Sequence, residues 1–434
     1  MSAEMVGLIS IIILIVLLLA RLPVAFVMLV LGMAGIIYLK GEPAALAVAG
    51  RTTYNTLANY FLVVVPLFTW MGYIGYYSGI STHLYDAAYK LVGHFKGGLA
   101  MATTMACAAF GAICGSTTAT AATFSVIALP EMKKYNYDHS LATANVAASG
   151  ILGVLIPPSV IFIVYASITA ESVAKLFIAG IIPGLLLAVL FMGGIYLVVA
   201  RHPEKAPPGP SFPWNERLKA VATGGIEIVI IFGAVIGGLL AGIFTGTEAG
   251  AMGCFATLVV VLARRALTWH GFVNSLKATV HTATMVMFLV ASAAIYGVFL
   301  GLTGLPMIVS NWAVALPLPP AVVMVFILLI LMAMGTVIDA LAMILLTIPI
   351  FYPAAMALGF DGTWFGVIMT LALGMGVLTP PVGANVYVVY AVDKETPVMD
   401  IFKGVWPYLI GLWILCALLL IFPQIALFLP GLIR

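Results

Sequence analysis

The chain has 434 residues, 64% of them hydrophobic and 8% charged, with a formal charge of +3. Soluble domains average about 45–50% apolar and about 25% charged residues, so this composition excludes a soluble globular protein and specifies one embedded in a bilayer. Long apolar runs, not short alternating ones, make it a helical bundle and not a β-barrel, and 43 glycines and 24 prolines fit interrupted membrane helices.

The first apolar run, about 5–20, carries Glu4 in place of a basic leader and reads as a retained helix, not a cleaved signal. Runs at 22–39 and 56–78 follow. Next come four short runs, 98–114, 116–130, 139–156 and 159–168, several of them too short for an apolar core needing about 20 residues. Longer runs at 176–200, 220–243, 247–265 and 278–300 lead to a second short set at 321–334, 336–353, 363–379 and 382–392, and a last run at 404–422. In each set the first pair reads as a re-entrant hairpin and the second as one crossing helix broken near mid-depth.

The two sets form an internal repeat. Asp138 lies 19 residues before Pro157, and Asp361 lies 19 before Pro380. "LIPPSVIFIVYA" stands against "LTPPVGANVYVVYA", Pro130 pairs with Pro349 as the end of each hairpin, and Gly72 and Gly79 pair with Gly297 and Gly304. The expected organisation is therefore scaffold helices in 1–55, a first repeat in 56–200, a linker and central scaffold helices in 201–277, a second repeat in 278–424 and a tail in 425–434.

Lysine and arginine set the orientation. Lys90, Lys96, Lys133 and Lys134 flank the first hairpin and put its open end in the cytoplasm. The stretch 278–393 has no Lys or Arg, so the second hairpin opens outward. Arg201, Lys205, Arg217, Lys219, Arg264, Arg265, Lys394 and Lys403 mark further inside loops. Threading the chain through these points inverts the halves and puts both termini outside.

Inverted repeats with broken helices are the mark of secondary transporters. A Pro-Pro break frees carbonyls in a medium where unpaired polar groups cost several kcal/mol, and those carbonyls with nearby hydroxyls suit a hard cation such as Na⁺. Half-helix N-termini suit an anionic substrate. The tips "GAICGSTTATAAT" (111–123) and "MGTVIDA" (334–340) supply the other half of each cage, and Asp339 is the only charged residue between 278 and 360. A charge at that depth is functional by default, though Asp339 also fits a helix cap. Among the other polar residues, Asn145 and Ser149 lie a turn apart before the first break, Asn385 follows the second, and Ser159 and Thr379 adjoin the prolines. Thr118, Asn145, Ser149 and Asn385 are the expected substrate ligands. Glu227 and Glu248 stay unassigned, and the four cysteines, with no CxxC, read as buried small hydrophobes. No phosphate-binding loop and no Cys/His cluster is present, so the drive is an ion gradient and no transition metal is expected. The lack of intramembrane Lys and Glu relays favours Na⁺, with Asp339 leaving H⁺ open.

This combination resembles the large, DctM-like membrane subunit of tripartite ATP-independent periplasmic (TRAP) transporters. The resemblance rests on "GSTTATAAT" (115–123), "ALPEMKKYNYD" (128–138), "ASGILGVLIPPS" (148–159), "LFIAGIIPG" (176–184), "TGTEAGA" (245–251), "WFGV" (364–367) and "GVLTPPVGANVYV" (376–388), in order over nearly the whole chain. It implies an all-α polytopic elevator-type transporter of the bacterial inner membrane. A transport domain carrying both hairpins and broken helices would slide on a scaffold of the remaining helices. It further implies a separate small (DctQ-like) membrane subunit, a periplasmic substrate-binding protein, and import of a small organic acid such as a C4-dicarboxylate or sialic acid with Na⁺. Cation sites at the tips and breaks carry over to Gly115, Ser116, Thr117, Pro157 and Ser159, and to Gly335, Thr336, Asp339, Thr379 and Pro381. Phe162 stands where the second half has Asn385, so the two cages differ in chemistry. A stand-alone Na⁺- or H⁺-coupled dicarboxylate symporter is the alternative; no nucleic acid is implicated and the chain is not an enzyme.

Overall fold

A computed structural model describes residues 2–20 and 22–432, so the last two residues of the expected tail lie outside the described ones. Every regular element among the described residues is helical. The chain opens with α1 (Ala3–Leu19), α2 (Val24–Lys40), α3 (Glu42–Leu57), α4 (Val64–Tyr77) and α5 (Ile80–Val92). The first hairpin is α6 (Gly98–Cys114) with α7 (Thr117–Lys134), and the first broken helix comprises α8 (His139–Ser149), α9 (Leu152–Leu155) and α10 (Val160–Thr169). After α11 (Val173–Arg201), α12 (Trp214–Ala220), α13 (Ile226–Phe232) and α14 (Gly238–Leu240) run on as one rod through two π-helical turns. Next come α15 (Gly246–Ala263), α16 (Trp269–Thr303) and α17 (Leu305–Ala315). The second hairpin is α18 (Pro320–Gly335) with α19 (Ala340–Ala357), and the second broken helix is α20 (Gly362–Gly376) with α21 (Ala384–Val392). The chain closes with α22 (Val398–Gly404), α23 (Trp406–Ile421) and α24 (Gln424–Leu427).

The helix starts have local causes. Asp138 and Asp361 cap the two broken helices, accepting the amide N–H groups of Leu141 and Trp364 at 2.9 Å each. A carboxylate there pairs with unsatisfied amides and with the positive end of the helix. Thr245 and Glu248 make a capping box at α15, which gives the unassigned Glu248 a structural role. Helices including α3, α5, α17 and α22 fall where the sequence offered no apolar run. Of these, α5 forms through a one-sided pattern, burying Ile80, Leu84, Tyr85, Ala87 and Ala88.

Two expected ends move. The hairpins continue past Pro130 and Pro349, which lie inside α7 and α19. A proline loses one backbone bond and bends a helix without ending it when its neighbours hold the rest. The run expected at 278–300 begins at Trp269, because the polar turn that precedes the apolar run is also helical.

The helices separate into two packed groups. In one, α16 lies along α2, α3 and α4, and α15 lies along α4. In the other, the hairpins and broken helices exchange partners: α10 packs on α19 and α20 of the second repeat, and α21 packs on α7 and α8 of the first. Helices α11 and α23 pack against each other and against α20, and α11 also lies on α6 and α9. Helices α11 and α23 thus pack on the hairpin and broken-helix group. The halves match in detail. Gly79 and Gly304, both left-handed, join α4 to α5 and α16 to α17, and both Pro-Pro bonds are cis.

Candidate functional site

The first tip forms because the chain must reverse in two residues. Gly115 takes φ 64°, and Ser116 is extended and caps α7, accepting the Ala119 N–H at 3.4 Å. The tip reaches the break: the Gly115 carbonyl accepts the Val160 N–H at 3.5 Å, and a Cβ on Gly115 would lie 2.9 Å from the Pro158 carbonyl oxygen. Only glycine meets both demands. The break around Pro157 and Pro158 is wholly buried, and Ser159 Oγ, 0% exposed, has no hydrogen-bond partner among the described residues.

The second tip repeats the plan with different chemistry. A Cβ on Gly376 would lie 2.6 Å from the Gly335 Cα, so hairpin and broken helix touch backbone to backbone. The Thr336 carbonyl accepts the N–H groups of Val382 and Gly383 at 3.2 and 3.3 Å. The hydroxyls of Thr336 and Thr379 donate to Ala333 and Met375 carbonyls, each at 2.7 Å. Asp339 caps α19 by accepting the Leu341 N–H at 3.1 Å, and it is exposed. The cap is thus the observed role of Asp339, and its exposed carboxylate borders the tip. Pro380 and Pro381 are exposed, in contrast to the enclosed first break.

The two tips border one cavity of ≈ 600 Å³. The first contributes Ser116, Thr117 and Thr118, and the second Asp339, Ala340 and Leu341. The cavity then follows α7 through Thr123 to Val126 and α21 to Val392, toward the base of the first hairpin. Its other wall is α4 and α16, where Tyr73 Oη and Thr282 Oγ1 share a hydrogen bond of 2.8 Å. Sequence reasoning missed these wall residues. Thr69, Tyr73 and Tyr76 lie at helical spacing on an otherwise apolar helix, which was the available signal.

Three of the expected substrate ligands lie elsewhere. Asn145, Ser149 and Asn385 are 0% exposed and do not border the cavity. Asn145 Nδ2 donates to the Ala100 carbonyl at 2.9 Å, and its Oδ1 accepts from Thr104, Ser149 and Tyr408. That network ties α6, α8 and α23 together. Asn385 Nδ2 donates across the repeats to the Ala147 carbonyl at 3.0 Å, while its Oδ1 is buried without a partner. Thr118 alone of the four faces the cavity. Glu227, also unassigned from sequence, is buried in the α12–α14 rod against Arg264 and His83.

Two inverted halves, each with a re-entrant hairpin whose tip meets the broken helix of its own repeat beside a shared cavity, define a membrane carrier of the secondary-transporter class. The chain belongs to the DctM component family of tripartite ATP-independent periplasmic transporters, which it matches over residues 11–425. It is 33% identical over 381 residues to the C4-dicarboxylate TRAP transporter large permease protein DctM of Pseudomonas aeruginosa, covering 87% of this chain and 88% of that one. It is 33% identical over 417 residues to the sialic acid TRAP transporter large permease protein SiaM of Vibrio cholerae, covering 96% of each. An ectoine TRAP transporter large permease protein, TeaC of Halomonas elongata, is 33% identical and covers 86% of each chain. The fold is shared with the YdaH transporter of Alcanivorax borkumensis, with TM-score 0.55 and 14% identity over 92% of this chain and 90% of that one. The protein is thus a transporter permease subunit and not an enzyme.

Proposed function

We propose that this chain carries a small organic acid, a C4-dicarboxylate or a sialic acid, across the bacterial inner membrane together with Na⁺. The acid is delivered by a periplasmic substrate-binding protein, and a separate small membrane subunit completes the complex. The observation that carries the Na⁺ reading is the first tip: the Gly115 carbonyl meets a buried break where the Ser159 hydroxyl has no hydrogen-bond partner among the described residues. Leaving a buried hydroxyl unpaired costs about 1–3 kcal/mol, and a cation between tip and break removes that cost. Unwound carbonyls at helix breaks are the usual Na⁺ ligands in such carriers. At the second tip the Thr336 carbonyl is taken by two N–H groups, so Asp339, Thr379 and the exposed turn at Pro381 supply the ligands there.

With the basic ends of the first hairpin in the cytoplasm, the cavity opens inward and both termini lie in the periplasm. The hairpins, broken helices, α11 and α23 move as a body against α1–α4 and α15–α16. The substrate lies against Ser116, Thr117 and Thr118, with Asp339 on the cation.

The test is uptake into liposomes holding this chain and its small subunit under an inward Na⁺ gradient. The binding protein, loaded with radiolabelled succinate or N-acetylneuraminate, is present or omitted. Uptake that needs both Na⁺ and the binding protein is expected. Uptake without the binding protein would make the chain a stand-alone symporter, and binding-protein-dependent uptake without Na⁺ would move the coupling to H⁺.

A further inference from the structure

A second cavity, of ≈ 470 Å³, lies further along α16 than the first. Its walls are those of the first cavity with the repeats exchanged. The first is bordered by α7 and α21, the second arm of hairpin one and the second half of broken helix two. The second is bordered by Leu345 and Pro349 of α19 and by Ser167 of α10, the matching parts of the opposite repeats. Both share α16. Thr282 and Val286 face the first cavity and Val290, Ala293 and Gly297 the second, so one face of α16 runs from cavity to cavity. The four residues from Val286 to Val290 span about 6 Å at about 1.5 Å each.

We propose that this second cavity is the entrance on the opposite face, a receiving site where neutral donors take the organic acid before the tips carry it inward. Its polar rim is Thr52, Asn55, Thr56, Asn59 and Ser167. Asn59 Oδ1 is held by the Phe61 N–H at 2.9 Å, which fixes the side chain, and its amide N–H groups donate to no partner among the described residues. Thr52, Asn55 and Thr56 make no side-chain hydrogen bond among the described residues, and Asn55 is exposed. No charged side chain among the described residues borders the cavity. Amide and hydroxyl donors hold a carboxylate loosely enough to release it, which is what a site of passage needs.

The inference rests on the carrier reading, and one preparation tests the two separately. Thr282→Cys and Ala293→Cys are placed singly in a Cys114→Ala background, since Cys114 is the one natural cysteine that borders the first cavity. Each is reconstituted with the small subunit and treated with a membrane-impermeant methanethiosulfonate from either side. The two positions are expected to react from opposite faces, and replacing Na⁺ by choline is expected to raise one rate and lower the other at least twofold. Reaction of both from one face, or a rate at 293 that ignores the swap, overturns the entrance. Asn55→Ala with Thr56→Val is expected to cut uptake of the acid that the unaltered liposomes transport several-fold at limiting concentration, with labelling unchanged; equal uptake overturns the role of the rim. Failure of the unaltered liposomes to take up either acid would instead remove the carrier reading itself.

Discussion

Asn145 and Ser159 are both wholly buried polar side chains beside the first broken helix, and their surroundings give them opposite roles. Every polar atom of Asn145 that could fix it in place is engaged, whereas Ser159 Oγ is engaged by nothing among the described residues. Removing one partner from a buried network costs about 1–3 kcal/mol. Asn145→Ala is therefore expected to lower stability by about 2–3 kcal/mol in thermal unfolding, with the Na⁺ concentration for half-maximal uptake unchanged. Ser159→Ala is expected to do the reverse: unfolding within about 1 kcal/mol of the parent, but a several-fold higher Na⁺ requirement. A Ser159→Ala carrier with the parent's Na⁺ requirement would remove the first break from the cation site. The sequence marked both residues as polar groups in apolar text. It did not show that Thr104 and Tyr408 stand opposite Asn145, because those partners come from 41 and 263 residues away.

At the scale of elements, each broken helix ends in an acidic clasp on the other repeat's hairpin. Lys133 at the end of α7 bonds Asp393 at 2.9 Å and Glu395 at 2.7 Å. At the opposite face, Glu171 accepts from Tyr352 of α19 at 3.0 Å and from Thr363 at the start of α20 at 3.4 Å. Burial works against the charged form of Asp393, but Lys133 and Thr396 outweigh it and hold its carboxyl below the usual range. For Lys133, burial likewise opposes the charge, and Glu395 and Asp393 outweigh it and raise its pKa. A depressed carboxylate stabilises above its unfolded pKa, about 3.9, and loses that contribution as pH falls through the folded value. A raised lysine stabilises below about 10.4 and loses it above. The unfolding difference between the parent and Lys133→Met is therefore expected to be flat from about pH 5 to 9, at about 1–3 kcal/mol, and to shrink toward either extreme. A difference that rises on acidification would break this account. The repeat was legible in sequence, and so were its breaks. The clasps were not, because they join residues of opposite repeats whose spacing carries no pattern.

For the whole molecule, the consequential contact is between groups. A Cβ on Gly297 of α16 would lie 3.8 Å from Pro349 Cγ of α19, at the wall of the second cavity. Movement of the hairpin group along α16 must separate that pair. Gly297→Cys with Pro349→Cys is expected to cross-link on oxidation, to stop uptake at least tenfold, and to recover with reductant. Full uptake by the cross-linked protein would show that the two groups do not slide past one another there.

What the sequence determined by itself was local and periodic. Apolar length set the main helical segments, Pro-Pro pairs set the breaks, and the repeated spacing from Asp to Pro set the repeat, since each follows from backbone chemistry within a few turns. Tertiary structure alone decided which polar side chains are spent on packing and which are left facing a cavity. It enclosed the first break and left the second open, moved Asn145, Ser149 and Asn385 into the protein interior, and brought Tyr73 and Thr282 to the cavity wall. The reason is that a buried polar group must find its partner wherever the fold provides one, and in this chain those partners lie on other helices, often in the other repeat.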